Sequence, residues 1–264
     1  MMKAMDKTID EKQPLVEIRD LKKSFGDTQV LQGFNLQLYP NENVVILGKS
    51  GSGKSVLIKC LVGLNDIDSG EVKVLGRSIP DMKREELDVI RSEVGFLFQG
   101  SALYDSMTVK ENLIFPLRRH AERMKGENEE ELILSALKSV GLEHTLELMP
   151  AELSGGMKRR IALARMLILK PKIILYDEPT SGLDPITSNE IIKLMFNIQK
   201  ELNTASLIIT HDMDCARVIS SRIIVLQDGI NYAEGTYQEL AESTDPKVKA
   251  FFKEIQVYDD HKEQ

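Results

Sequence analysis

The segment Gly48–Ser55, with the sequence Gly-Lys-Ser-Gly-Ser-Gly-Lys-Ser, constrains the fold of this chain more than any other feature. It follows the apolar run Asn43–Leu47 and precedes the helical stretch Val56–Val62, the strand–loop–helix order that a phosphate-binding P-loop requires. Glycines let the backbone curl around phosphates, while successive N–H groups and the positive helix end face the anion. Lys54 can reach the β- and γ-phosphates, and the Ser55 hydroxyl can ligate Mg²⁺. The predicted nucleotide-binding residues here are Gly48, Lys49, Ser50, Gly51, Ser52, Gly53, Lys54, Ser55 and Val56.

Short apolar runs alternate with longer helical patterns along the chain, which is typical of an α/β protein with a parallel sheet. Near-continuous apolarity indicates strands that are covered on both faces. The segment Leu15–Leu38 differs, because it predicts antiparallel strands at Val16–Ile18, Val30-Leu31 and Phe34–Leu38, with a turn at Gly26-Asp27. A further hairpin is predicted to include the strand Glu71–Leu75, after a turn at Asp68-Ser69-Gly70. The predicted buried strands are Val44–Leu47, Val94–Phe98, Ile173–Tyr176, Leu207–Thr210 and Ile223–Leu226.

Between about residues 100 and 165 the strand signal disappears. Val109–Arg119, Glu129–Val140 and Met157–Leu169 carry helical periodicity instead. The predicted fold class is therefore an α/β P-loop NTPase core with an N-terminal antiparallel β subdomain and an inserted α-helical subdomain. The predicted organisation is one domain over 1–264, with core 15–99 and 166–235, helical subdomain 100–165 and C-terminal tail 236–264.

A second chemical signal is the pair Asp177-Glu178, which ends the apolar run Ile173–Tyr176. Alone, an acid at this place is more often a solvated strand end. In a chain with a P-loop, the strand delivers Asp177 to the metal that accompanies the nucleotide. Glu178 then lies at the exposed strand end, where a carboxylate can orient or deprotonate an attacking water. The metal ligands are predicted to be Ser55 and Asp177, and the catalytic base Glu178.

Composition excludes several other classes of protein. The chain has 264 residues, 41 acidic against 34 basic side chains, and a net charge of −7. A protein held by a nucleic-acid backbone needs a concentrated basic surface, so no nucleic-acid partner is expected. The basic runs Lys158-Arg159-Arg160 and Arg118-Arg119 are interpreted as solvated helix faces. Cys60 and Cys215 are too few and too far apart for a disulfide framework, which favours a reducing compartment.

The hydropathy pattern contains no window near the roughly 20 apolar residues of a membrane-spanning helix. The segment Met1–Pro14 is charged and lacks an apolar stretch, so no secretory signal is visible. We therefore expect a soluble cytosolic chain.

The segment Leu153-Ser154-Gly155-Gly156-Met157 precedes a predicted helix and lies ahead of the Asp177-Glu178 strand. In isolation, Ser-Gly-Gly is a common turn with a helix N-cap. Taken with the P-loop and in this order, it resembles the ATP-binding cassette family over about residues 15–240. In that family this segment contacts the γ-phosphate bound to the other subunit. The resemblance therefore implies an ATP- and Mg²⁺-dependent ATPase in which a second copy meets the nucleotide through Ser154, Gly155 and Gly156.

The same resemblance assigns roles to four further residues. Gln99 matches a loop that senses Mg²⁺ and nucleotide, which makes it a catalytic and metal-ligand candidate. His211 matches the γ-phosphate switch histidine, although a lone His after a strand is more often structural. Asp184, in Ser181-Gly182-Leu183-Asp184, matches the loop that crosses the dimer interface. Phe25 lies where the family stacks an aromatic ring, usually Tyr, on adenine.

Within transporters, the chain looks like the ATPase subunit of Mla-type lipid transport systems. The matching text is Phe96–Val109, Glu111-Asn112, Phe115–Leu117, Leu153–Arg160, Gly182–Thr187 and Asp245–Val248. This implies a transmembrane permease and an MCE-type lipid-binding protein as partners, phospholipid as cargo between inner and outer membranes, and a place on the cytoplasmic face of the inner membrane. Two alternatives stay open: a cassette ATPase for another solute, and one acting on nucleic acid or ribosomes.

Overall fold

The computed structural model describes residues 13–259, and of residues 253–259 only the helical backbone. Residues 1–12, which carry most of the expectation about a secretory signal, lie outside the described residues, as does the end of the predicted tail, 260–264. Within the described part, no helix combines the length and apolarity that crossing a membrane requires.

The central sheet has the strand order β10-β9-β3-β8-β7-β6, and its neighbours are parallel except for the antiparallel pair β9 and β10. Its predicted members are present, with small shifts at their ends. The antiparallel edge strand β10 has no counterpart in the sequence-based prediction. The strands are β3 (Asn43–Leu47), β6 (Val94–Leu97), β7 (Ile173–Asp177), β8 (Ala205–Ile209), β9 (Arg222–Gln227) and β10 (Ile230–Gly235).

A second, antiparallel sheet has the order β2-β1-β4-β5. The predicted turn at Gly26-Asp27 is present, but the flanking strands are longer than predicted because they pair along their full length. The predicted turn at Asp68-Ser69-Gly70 is wrong in part, since β4 begins at Ser69 and pairs with β1. The strands are β1 (Val16–Phe25), β2 (Thr28–Leu38), β4 (Ser69–Val74) and β5 (Arg77–Ser78).

Helices cover both faces of the central sheet. The three helices expected between β6 and β7 are present, which agrees with a helical insertion, although the domain division itself stays a prediction. The helix bounds are α1 (Lys54–Leu61), α2 (Arg84–Glu93), α3 (Val109–Arg119), α4 (Glu129–Ser139), α5 (Gly155–Leu167), α6 (Pro185–Leu202), α7 (Met213–Ile219), α8 (Tyr237–Ala241) and α9 (Pro246–Asp259).

Side chains of β3 alternate between two apolar cores. Val45 and Leu47 belong to the core that the helical insertion covers. Val44 and Ile46 belong to the core beneath the antiparallel sheet and α1. Because successive side chains of a strand point to opposite faces, a strand buried on both sides must be apolar throughout. The double burial fixes the end of β3, and with it the position of the P-loop.

Candidate nucleotide and phosphoryl-transfer site

Four loops of chemical interest follow four neighbouring strands of the central sheet. The phosphate loop Gly48–Ser55 follows β3, His211 follows β8, Glu178 follows β7 and Gln99 follows β6. These strands lie side by side and parallel, in the order β3-β8-β7-β6. Because the carboxyl ends of parallel strands meet at one edge, the fold brings the four loops together there.

A cavity of about 760 Å³ opens at this edge. Of the predicted residues, Gly48–Val56, Gln99, Glu178 and His211 line it. The remaining lining residues carry no charge and belong to no motif, so no sequence signal points to them. They are Val30, Leu47, Met213, Ala250 and Phe251.

The phosphate loop has the backbone shape of an anion cradle. Gly51 and Gly53 have φ of +78° and +98°, in the left-handed region that residues with a side chain rarely adopt. A Cβ on Gly53 would also lie 2.7 Å from Val30 Cγ1. Lys54 Nζ donates to the carbonyl oxygens of Gly48 at 2.7 Å and Lys49 at 3.0 Å. Burial lowers the pKa of Lys54, while the nearby carboxylates of Glu178 and Asp177 act to raise it.

Two oxygen donors meet below the loop. Ser55 Oγ donates to Asp177 Oδ1 at 3.2 Å, although 122 residues separate the two in sequence. Burial raises the pKa of Asp177, and the hydrogen bond from Ser55 opposes that shift. A hydroxyl and a carboxylate are hard ligands that fit Mg²⁺, which retains several waters and binds substrate phosphates. Among the described residues no group of three or more His, Cys, Asp and Glu is placed to hold a metal alone.

Glu178 and His211 form a contact across the cavity edge. His211 Nδ1 lies 2.8 Å from Glu178 Oε2, and the Glu178 side chain is only 14% exposed against 70% for His211. Glu178 also lies at φ of +51°, a strained conformation for a residue with a Cβ. The strained turn and the histidine hold the carboxylate in one orientation toward the cavity. A general base requires a fixed orientation of this kind to contact an attacking water molecule.

The signature segment, Ser154–Gly156, and Asp184 do not line this cavity. Ser154 is the N-cap of α5 and accepts from Met157 N at 3.2 Å. Asp184 is the N-cap of α6 and accepts from Ile186 N and Thr187 N. Ser154, Gly155 and Asp184 are exposed, so a helix N-terminus with bare glycine amides is open to a ligand outside its own chain.

Phe25 is not among the residues lining the cavity. Its ring is 50% exposed, and Lys23 Nζ lies 5.2 Å from the ring centroid. Adenine stacking by Phe25 therefore stays a prediction.

Gly155→Ala tests the signature segment without disturbing the fold. A Cβ on Gly155 would meet only Leu183 Cδ2, at 3.7 Å, and alanine favours helix over glycine. We expect an unchanged or raised Tm, but an ATPase rate at least about tenfold lower, because the methyl group blocks close approach of phosphate to the amides. Gly156→Ala is the comparison, since its Cβ would lie 2.6 Å from Thr187 Cγ2 and lower the Tm. Wild-type turnover in Gly155→Ala would contradict a role at a nucleotide.

Comparison with known proteins agrees with this geometry. The family model described as ABC transporter matches residues 31–181. The methionine import ATP-binding protein MetN of Clostridium tetani is 38% identical over 226 residues, which are 86% of this chain and 70% of that protein. MetN of Campylobacter jejuni is 36% identical over 262 residues, covering 94% of this chain and 78% of that protein.

Among solved structures, a dimeric post-hydrolysis state of the ATP-binding cassette MJ0796 bound to ADP and Pi is similar, with a TM-score of 0.75 and 34% identity. The match covers 84% of this chain and 98% of that one. This likeness confirms the predicted fold class, an α/β P-loop core with an added antiparallel sheet and helical insertion.

Proposed function

We propose that this chain, which belongs to the ABC transporter family, is the subunit that binds and hydrolyses ATP to drive a membrane transporter. The observation that carries the proposal is that the phosphate loop, Gln99, Glu178 and His211 all line the same cavity. That set combines a phosphate cradle, a carboxylate base and two polar side chains at one sheet edge. The predicted ATPase activity is confirmed at the level of the family.

The reaction is phosphoryl transfer to water, in which the chain positions groups and neutralises charge. The phosphate loop amides and Lys54 hold the phosphates, and Glu178 accepts the proton of the attacking water. His211 keeps the Glu178 carboxylate oriented through their 2.8 Å contact. Ser55 and Asp177, with Gln99 as a third candidate ligand, would hold Mg²⁺, which would supply charge neutralisation for the transferred phosphoryl group.

Two copies of the chain are proposed to enclose the nucleotides. The helix start Ser154–Gly156 of one copy, with Ser154 and Gly155 exposed, then faces the γ-phosphate in the cradle of the other copy, with Asp184 at the interface. The dimeric state reported for MJ0796 with ADP and Pi supports this arrangement for a related cassette.

The transmembrane permease is proposed to dock beside the segment that follows Gln99. Tyr104 and Phe115 are 43% and 39% exposed and lie with their ring centroids 4.9 Å apart. Exposed neighbouring aromatic rings suit a protein partner. In this arrangement the chain is peripheral, on the cytoplasmic face of the membrane.

The cargo is better assigned to another solute than to phospholipid. The similar curated proteins are named as methionine importers, so a small solute of the amino-acid class is the first candidate. The phospholipid prediction and its MCE-type partner find no support in these relatives. Phospholipid remains a second candidate, carried only by the motif text in Phe96–Leu117 and Leu153–Arg160.

Purification of the tagged chain from detergent-solubilised membranes of its source cells tests the function and the cargo together. A permease with a solute-binding protein, and ATPase activity stimulated by the loaded binding protein, would support the first candidate. A permease with an MCE-type protein and bound phospholipid would support the second. Stimulation by nucleic acid without any membrane partner would contradict the transporter assignment.

A further inference from the structure

Arg159, on helix α5, is buried, so the interpretation of Lys158-Arg159-Arg160 as a solvated helix face is wrong at this residue. Because α5 begins with the signature segment, it is called the signature helix below. The exposed fraction of Arg159 is 4%. The guanidinium donates to two backbone carbonyl oxygens, Phe98 O at 2.8 Å and Ser181 O at 3.3 Å. Its Nε–H has no partner among the described residues.

The two carbonyl groups belong to loops of the proposed site. Phe98 directly precedes Gln99, which lines the cavity, and Ser181 lies between Glu178 and Asp184. Gln99 Nε2 also donates to Ser181 Oγ at 3.3 Å. One buried guanidinium therefore joins the Gln99 loop, the loop that carries Asp184, and the helix that begins with the signature segment.

Fold stability is a poor explanation for this arginine. Among the described residues, no carboxylate forms an ion pair with Arg159. Burial alone lowers the pKa of Arg159. A buried cation held only by neutral carbonyls loses much of its hydration energy, and no opposite charge offsets that loss. Its geometry instead serves to fix the relative positions of three segments.

The segment after Gln99 is held by the same helix at a second place. Arg165 donates to Ser101 O at 3.2 Å and Ala102 O at 2.8 Å. Ser101 and Ala102 have φ of +62° and +51°, so two consecutive residues adopt the left-handed conformation. Residues other than glycine seldom adopt this conformation. The backbone from Phe98 to Ala102 is thus set by α5, so a displacement of the signature helix displaces Gln99 as well.

We propose that Arg159 is a positioning residue that couples the two nucleotide sites of the dimer. It ties Gln99, which lies at the nucleotide site of its own chain, to the signature segment, which faces the nucleotide site of the partner chain. This rests on the proposed two-copy function. When a chain binds a nucleotide and Gln99 contacts it, the signature segment and the Asp184 loop of that chain are held in position to contact the nucleotide of the partner chain. Without the tie, each site fills independently, and closure requires more ATP.

Arg159→Met separates coupling from folding, because methionine fills similar space without a buried charge. The readout is the ATP concentration for half-maximal dimer formation, measured by sedimentation in the Glu178→Gln background. We expect Arg159→Met to raise it about tenfold, with unchanged ATP affinity of the monomer and an unchanged or higher Tm. Arg159→Lys, which keeps the charge but lacks the planar guanidinium with its two separated NH₂ groups, should recover part of the shift.

Arg160→Met is the matched control, since Arg160 is the next residue of α5 and its guanidinium pairs with Glu190 on the surface. It should leave the dimerisation midpoint unchanged. Unchanged dimerisation in Arg159→Met, or a shift that a lower Tm or weaker monomer affinity accounts for, would overturn the coupling role and leave the proposed function standing. Failure of Glu178→Gln alone to dimerise with ATP would overturn both.

Discussion

Glu178→Gln is expected to lower ATP turnover by roughly 10²–10⁴-fold while ATP binding is retained. The carboxylate is held at the end of β7 by a left-handed backbone and by His211, so the change replaces a fixed proton acceptor with an amide of the same shape. The phosphate cradle does not depend on this side chain, which makes no hydrogen bond to Gly48–Ser55 among those described.

Steady-state hydrolysis and equilibrium binding of a fluorescent ATP analogue measure the two halves of this prediction separately. Glu201→Gln is a suitable control, because Glu201 is an exposed carboxylate on α6 outside the cavity. It should behave as wild type. Turnover near the wild-type rate in Glu178→Gln would remove Glu178 from the role of base.

Lys54→Ala is expected to weaken ATP binding itself, by at least about 30-fold, or about 2 kcal/mol. The ammonium group lies across the mouth of the phosphate loop, where its hydrogen bonds to Gly48 O and Lys49 O hold it among the amides. Its removal deletes the only side-chain cation that we place against the β- and γ-phosphates.

The measurement is titration with ATP, accompanied by a thermal unfolding curve to separate lost affinity from lost fold. Lys193→Ala is the control, because Lys193 is an exposed lysine on helix α6 and does not line the cavity. It should bind ATP as wild type does. An unchanged affinity in Lys54→Ala would count against the phosphate-cradle interpretation.

The site could be predicted largely because its parts end short, apolar strands. The P-loop and Asp177-Glu178 are local patterns, and parallel order alone brings their loops together. Val30, Met213 and Phe251 line the same cavity but reach it from distant elements. Their apolar character matches ordinary core, so no spacing in the sequence distinguishes them.

The fold shows the same division between local and long-range information. The helix Val109–Arg119 was predicted with its observed ends, since Thr108 caps it in a reciprocal pair with Glu111. The start of β4 at Ser69 was missed, because pairing with β1 overrides the turn preference of Ser69-Gly70. Arg159 was misplaced for a related reason: its partners are backbone carbonyls 61 and 22 residues away, which no charge pattern records.

Mixing two impaired variants tests whether two copies of the chain build each nucleotide site together. A Lys54→Ala chain lacks its own cradle, and a Gly155→Ala chain has a blocked signature segment. In their heterodimer, the intact cradle of the second chain faces the intact signature segment of the first. We expect the mixture to hydrolyse ATP at a rate well above the sum of the rates of the two variants alone. No gain in activity, with heterodimers verified by native mass spectrometry, would contradict it.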